Sequence, residues 1–189
     1  MDKKDIKQYA DDTYEYVSSW INNCDSKASI LLALIGVVLS IAFTSDYILD
    51  GIKDLVKDVI ALFKGESATC VCASIILLLV LGFSIGFFID SIRRLLQVLL
   101  ARFDDSRDKD NPSIIFYRSI GAKTYEDYKE RVEDIKEDDF IDDKLRQVHD
   151  CSKICTSKFL CYNEGLNSMK VGLVLFAIYF FLFIIKSSL

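Results

Sequence analysis

Charge is absent from three stretches of this chain, residues 28–45, 67–89 and 171–185, while acids and bases crowd the segments between them. A helix needs about 20 predominantly apolar residues to cross a bilayer, so the pattern predicts three membrane spans. The first and third runs are short, roughly 25 Å of helix at the usual rise per residue, which calls for neighbouring helices or a thinned bilayer around them. Acids as well as bases precede the first run, and it exceeds the apolar core of a signal peptide, so it is expected to stay in the mature protein.

Between the first two spans, Ile48, Ile52, Leu55, Val56, Val59, Ile60 and Phe63 recur at helical 3–4 spacing. This predicts an amphipathic helix lying on the outer membrane surface, or packed on the spans of a neighbouring subunit. The helical period also runs through the charged segments. Ile6, Tyr9, Thr13, Val17, Trp20 and Cys24 form one face leading into the first span. Ile92, Leu95, Leu96, Leu99 and Phe103 form a second beyond the next span, and Leu145, Val148, Cys155, Phe159, Tyr162, Leu166 and Met169 a third that enters the last. Each apolar stripe needs a partner, so a helical bundle is the economical arrangement.

The segment between the second and third stripes is less regular. It holds the Asn111-Pro112 turn, with the chain's only proline. Thr124 with Asp127 then reads as an N-terminal capping pair for a helix with Tyr125, Tyr128, Val132 and Ile135 on its apolar side. The acidic stretch from Glu126 to Asp143 reads as the solvated face of that helix and of the turn after it. The expected fold is an all-α membrane protein with three transmembrane helices extended into a cytoplasmic helical stalk and cap, plus an interfacial amphipathic helix. The segments are a cytoplasmic helix at 1–27, span 28–45, outer helix 46–66, span 67–89, stalk and cap 90–168, and span 169–186.

Positive charge near span ends sets orientation. Arg93, Arg94, Arg102 and Arg107 follow the second span, and Lys153, Lys158 and Lys170 precede the third, which puts the N-terminus and residues 90–168 in the cytoplasm. Lys53, Lys57 and Lys64 in the outer loop weaken that bias.

Composition removes several function classes. The net charge of −5 does not suit nucleic-acid binding, which needs a basic face. The six cysteines, Cys24, Cys70, Cys72, Cys151, Cys155 and Cys161, read as small buried apolar residues. His149 and Cys151 stand two apart, so on a helix they point away from each other, and no metal site is expected. There is no phosphate-binding glycine loop, nucleophile elbow or zinc-protease motif, and Asp90 has no second carboxylate in a span, so an enzyme is not expected. Gly36, Ser40, Gly82, Ser84 and Gly86 allow close helix approach, and the Gly82/Gly86 spacing points to self-association.

Three motifs in order carry a resemblance over nearly the whole chain: WINNCDSKASILLA from Trp20, SIIFYRSIGAKTYEDY from Ser113, and DDKLRQVHDCSKICTSKFLCYN from Asp142. Together they resemble the Pycsar transmembrane effector family. Val148 replaces an isoleucine frequent there, and cysteines take several stalk positions. The resemblance implies an antiphage effector of the bacterial inner membrane. It would be paired with a nucleotide cyclase that makes cyclic CMP or cyclic UMP, sense that nucleotide and impair the membrane so that infection aborts. A homo-oligomer is expected, with no cofactor. The alternative is a non-catalytic membrane anchor that recruits a soluble partner through its cap.

A cyclic nucleotide brings one phosphate charge, a ribose and a base edge, so its pocket needs a cation, a stacking surface and polar groups. The candidates are Phe116, Tyr117, Arg118, Lys123, Tyr125 and Tyr128 in the cap, and Gln147, Ser152, Lys153 and Lys158 on the last stalk helix. The aromatic members could equally close the cap's own core. At the membrane boundary, Trp20 and Lys27 are natural interfacial anchors. Asp25 does not suit an anionic lipid surface and is expected to pair with a cation on a neighbouring helix, such as Arg93 or Arg94.

Overall fold

A computed structural model describes residues 2–63, 69–100 and 113–188, and every regular element among them is an α-helix. In order they are α1 (Lys3–Thr44), α2 (Asp46–Phe63), α3 (Thr69–Leu99), α4 (Tyr117–Gly121), α5 (Tyr125–Asp134) and α6 (Glu137–Ser188). Among the described residues, α1, α3 and α6 are long and apolar enough to cross a membrane. The chain is an all-α membrane protein. Lys64, Glu66, Arg102, Phe103, Arg107 and the Asn111-Pro112 turn lie outside the described residues.

The helices sort into two compact units. One comprises Met1–Ser26 with Leu100–Leu160, the other Lys27–Leu99 with Cys161–Leu189, and α1 and α6 each contribute to both.

In the second unit α3 and α6 are joined through small residues. The Ser84 hydroxyl donates to the Gly172 carbonyl at 2.9 Å, and Ser91, seven residues on, donates to the Gly165 carbonyl at 2.8 Å. The serines ascend as the glycines descend, so the two helices are antiparallel. A Cβ on Gly165 would lie 3.0 Å from Leu95 Cγ, and one on Gly172 3.4 Å from the Ser84 carbonyl oxygen. At Gly165 a Cβ would be tight against the neighbouring helix, and at Gly172 it would sit in ordinary contact with it, so the two helices approach closely at both. Gly36, Gly82 and Gly86 face open space, and Ile76, Leu79 and Phe83 beside them are exposed. Among the described residues nothing packs against Gly82 or Gly86.

The amphipathic helix α2 is present, and its apolar side packs on this chain's own α3 and α6. Leu55 is buried with Leu77, Leu81 and Tyr179. Gly51 lies directly against the Phe183 ring. Asp58 accepts from Ser74 at 2.8 Å and from Lys186 at 2.5 Å, and those two hydrogen bonds hold its carboxyl below the usual range. The charged side of α2 carries the pairs Lys53–Asp50 and Lys57–Asp54.

In the first unit, Lys3 pairs with Asp138, Lys144 with Asp11 and Lys158 with Asp25. The offset between partners is nearly constant along the chain, so α1 and α6 run parallel there. The Trp20 ring meets Phe159 edge-on at 6.0 Å, and Lys7 and Lys144 both lie over the Phe140 ring, at 5.6 and 5.0 Å. The predicted cap of α5 forms as expected, with the Asp127 N–H donating to Thr124 Oγ1 at 3.2 Å. Three acids, Glu137, Asp138 and Asp139, open α6, where the helix dipole favours them.

Candidate functional site

Helices α5 and α6 are separated only by the extended Ile135 and by Lys136, so they form a hairpin. The face of α5 with Asp127, Glu130, Arg131 and Asp134 and the face of α6 with Asp139, Asp142, Asp143 and Arg146 line one cavity, together with Lys123, Ile114 and Ile135. Its volume is about 730 Å³, inside the range of small-ligand sites. Both faces use the i, i+3, i+4, i+7 positions of one helix side.

Apolar packing does not hold this hairpin shut. No residue of α5 is buried, and its expected apolar side is only partly covered: Tyr128 and the following Ile135 are half-buried, while Tyr125 is 72% and Val132 43% exposed. The stretch from Glu126 to Asp143 is largely solvated, with Asp127, Glu130, Asp134, Asp139 and Asp142 exposed, and these five acids with Asp143 line the open cavity.

Several groups are fixed in place. The Asp143 carboxylate accepts from the Ser113 hydroxyl and from the Ile114 N–H, both at 2.9 Å. The same hydroxyl accepts from the N–H groups of Ile115 and Phe116, at 3.1 and 3.0 Å, and so shapes the turn into α4. Arg146 donates to Asp142 at 2.6 Å. The Lys123 ammonium is shielded from solvent.

Of the ten ligand candidates read from sequence, Lys123 alone is among the residues lining this cavity. Phe116 and Tyr117 contact each other at 4.9 Å between ring centres, with Tyr117 63% exposed. Tyr125 and Arg118 are exposed and Tyr128 is half-buried. Two exposed tyrosines do not fit the idea that the aromatics close a cap core. Gln147 donates to the Cys151 sulfur at 3.7 Å, Ser152 donates to the Val148 carbonyl at 2.8 Å, and Lys153 faces solvent. Lys158 is 5% exposed and donates to Asp25 at 2.6 Å.

The boundary residues divide in two. Asp25 does meet a cation from another helix, but it is Lys158 of α6 and not Arg93 or Arg94; Trp20 and Lys27 are exposed on α1. Arg93 and Arg94 belong to a separate cluster, where both donate to Asp90, at 3.1 and 2.7 Å. Ser168 adds a third bond at 2.7 Å. Arg94 also pairs with Glu164.

A family model described as the Pycsar effector protein domain matches residues 9–185, which takes in all three spans and the cavity. The chain belongs to the Pycsar effector family. It is 32% identical over 182 residues to the Pycsar effector protein GmPycTM of Gulbenkiania mobilis, covering 94% of this chain and 93% of that protein. No solved structure matches it. Family membership implies antiphage defence that runs on a cyclic-nucleotide signal and a paired cyclase, and with the three candidate spans it makes this effector a multi-pass membrane protein.

Other chemistry in this effector is limited. Among the described residues no three His, Cys, Asp or Glu side chains are arranged to hold a metal ion. Burial pushes the Cys151 and Cys155 thiols up, away from the thiolate form that would ligate or react.

The cavity acids and Arg131 and Arg146 were not among the sequence candidates. A signal for them exists: charged residues occupy one helix side at i, i+3, i+4 and i+7, twice, on either side of a two-residue break. That is the spacing of a packed face, here filled with groups that cannot pack without a counterpart.

Proposed function

We propose that this effector resides in the bacterial inner membrane with its N-terminus and residues 90–168 in the cytoplasm. There it binds a cyclic pyrimidine nucleotide, cyclic CMP or cyclic UMP, and responds by impairing the membrane. The nucleotide comes from a cognate pyrimidine nucleotide cyclase, and the effector acts as a homo-oligomer within the lipid bilayer. The observation that carries this reading is the family match from residue 9 to residue 185, because it spans both the polar cap and the membrane helices.

The helices support a mechanism. Both α1 and α6 run from the charged segments into apolar ones without a break in helical structure. Ligand bound in the cap gains affinity for whichever cap arrangement it contacts best, and can shift the protein only by that difference in affinity. An unbroken helix then carries a change at its cap end into its span as a tilt or rotation. The exposed Gly82/Gly86 face of α3 is available for contacts between copies in that response.

The test is purified full-length protein in dye-loaded liposomes. Dye release that follows cyclic CMP or cyclic UMP, and does not follow cyclic AMP, is the expected result. Intact liposomes with every cyclic nucleotide would overturn the proposal.

A further inference from the structure

Three helices of the membrane unit meet at one polar point. Lys186 of α6 donates to the Asp58 carboxylate of α2 at 2.5 Å and to the Ser74 hydroxyl of α3 at 2.6 Å, and that hydroxyl donates to Asp58 at 2.8 Å. Ser74 is fully buried, one helical turn from the buried Leu77. A polar group in such surroundings is costly unless it is bonded, so each member of the clasp holds the others in place. Asp58 and Lys186 are only partly covered, which lets water replace the ion pair when the helices part.

Around α2 the residues fall into three sectors. Gly51, Leu55 and Asp58 meet Phe183, the Leu77, Leu81 and Tyr179 cluster, and the clasp. Asp50, Lys53, Asp54 and Lys57 pair with one another in solvent. Between these sectors Val56 and Ile60, one turn apart, form an exposed apolar strip. A strip flanked by charge on one side suits the boundary between lipid head groups and acyl chains. Connectivity puts that boundary within reach. Only Ser45 separates α2 from α1, and its carbonyl accepts from the Ile48 and Leu49 N–H groups, both at 3.1 Å, so α2 starts where a helix able to cross the membrane ends.

We propose that α2 is a latched strap: the Asp58–Ser74–Lys186 clasp seats it on α3 and α6, and opening of the clasp turns its apolar side into the lipid, the step that impairs the membrane. The proposal rests on the reading of this protein as a membrane-impairing effector. Helices α3 and α6 are joined to each other at Gly165 and Gly172, whereas α1 runs unbroken from Lys3 and is linked to α2 by a single residue. A shift of α1 therefore pulls on α2 while α3 and α6 stay together. Leu55 then leaves its cluster, and the strip at Val56 and Ile60 widens to a full apolar side. A helix wedged among the head groups of one leaflet takes up area that the other leaflet does not match, and the barrier weakens.

The experiment is dye release from liposomes that hold the full-length protein, with no nucleotide added. Asp58→Asn keeps the side chain's shape and removes its charge, and should raise release about threefold, within the range for ion pairs that water reaches. Lys186→Met should act alike, and Ser74→Ala, which leaves the ion pair, less. Ile60→Glu charges the strip without touching the seat, so adding it to Asp58→Asn should return release to the wild-type level. Leakage through poorly packed spans would not respond to that change, and release that Ile60→Glu leaves undiminished overturns the strap. So does an Asp58→Asn protein as tight as wild type. Dispersal of the oligomer in detergent by Ile60→Glu alone would assign the strip to a second copy and overturn its role in lipid. Wild type that ignores every cyclic nucleotide overturns the sensing and is a separate outcome, because the strap is read without nucleotide.

Discussion

The membrane unit and the cap use polar side chains in opposite ways. Within the spans α3 and α6 meet through two serine hydroxyls, each donating over a short distance to a backbone carbonyl at a glycine, and charge is kept to the ends, where Asp90 accepts from Ser168 and Arg94 pairs with Glu164. In the cap they are long charged side chains that reach across α1 and α6, or line an open cavity whose only apolar lining residues are Ile114 and Ile135. Small residues in lipid permit close approach and dispersion contact, with hydrogen bonds adding little. Charged residues near water hold surfaces apart as readily as together, because their partners can be exchanged for solvent. On the proposed function, α3 and α6 of the membrane unit should keep their arrangement while the cap changes.

The largest test of that difference is steric. Gly165→Leu drives a side chain into Leu95 and should cost about 3 kcal/mol, the upper part of the overpacking range, read as lost thermal stability in detergent. Gly86→Leu, which meets open space, should leave the same transition in place. Equal losses at both positions would show that α3 and α6 are not held at the glycines.

Asp25→Ala comes next. It removes the carboxylate beside an ammonium group on a side chain only 7% exposed, and because Asp25 itself is partly exposed the loss should be about 2 kcal/mol, below that of a fully buried pair. The double variant Asp25→Leu with Lys158→Met should recover much of it. Insertion and assembly should survive in Asp25→Ala, while its dye release in response to nucleotide changes. A response identical to wild type would show that this contact plays no part in gating.

Ser91→Ala tests the milder side of the comparison. Its hydrogen bond lies between membrane helices, where such bonds average about 0.6 kcal/mol, so a small loss in thermal stability is expected and a large one would mean the hydroxyl, and not the glycine approach, holds the helices.

The smallest effect is a pH dependence at α2. Lys186 and Ser74 depress the Asp58 carboxyl below its ordinary value, so its contribution is complete above the unfolded-state carboxylate range and is lost as pH falls through the lowered value. The stability advantage of wild type over Asp58→Asn should be constant between pH 6 and 8, about the range in which carboxylates stay ionised, and disappear in acid. A gap that persists in acid would contradict the assignment.

The spans were legible because a charge-free run of sufficient length has few other uses, and α2 because its apolar spacing is regular over the whole helix. Thr124 and Asp127 were legible because capping is local. The partner of Asp25 was not, since Lys158 lies far along the chain and sequence spacing carries no register between distant parallel helices. The cavity was hidden for a different reason. A run of acids reads as solvated when the only question is which side is apolar. In α5 that question found half of the covered side, with Tyr128 and the adjoining Ile135 half-buried, Tyr125 and Val132 exposed, and Asp127, Glu130, Arg131 and Asp134 lining the open cavity. The repeated charge spacing on the two helices was the trace of the cavity in the sequence.

Hydrogen exchange of the full-length protein in nanodiscs, without nucleotide and with saturating cyclic CMP, tests the contrast between the two units most directly. Without nucleotide, the amides of α5 and the first turns of α6 should exchange far faster than those around Ser84 and Ser91 in α3 and around Gly165 and Gly172 in α6. With nucleotide, α5 should slow markedly while the α3 and α6 segments stay protected as before. An α5 already as protected as α3 without nucleotide, or unchanged when nucleotide is bound, would contradict the account.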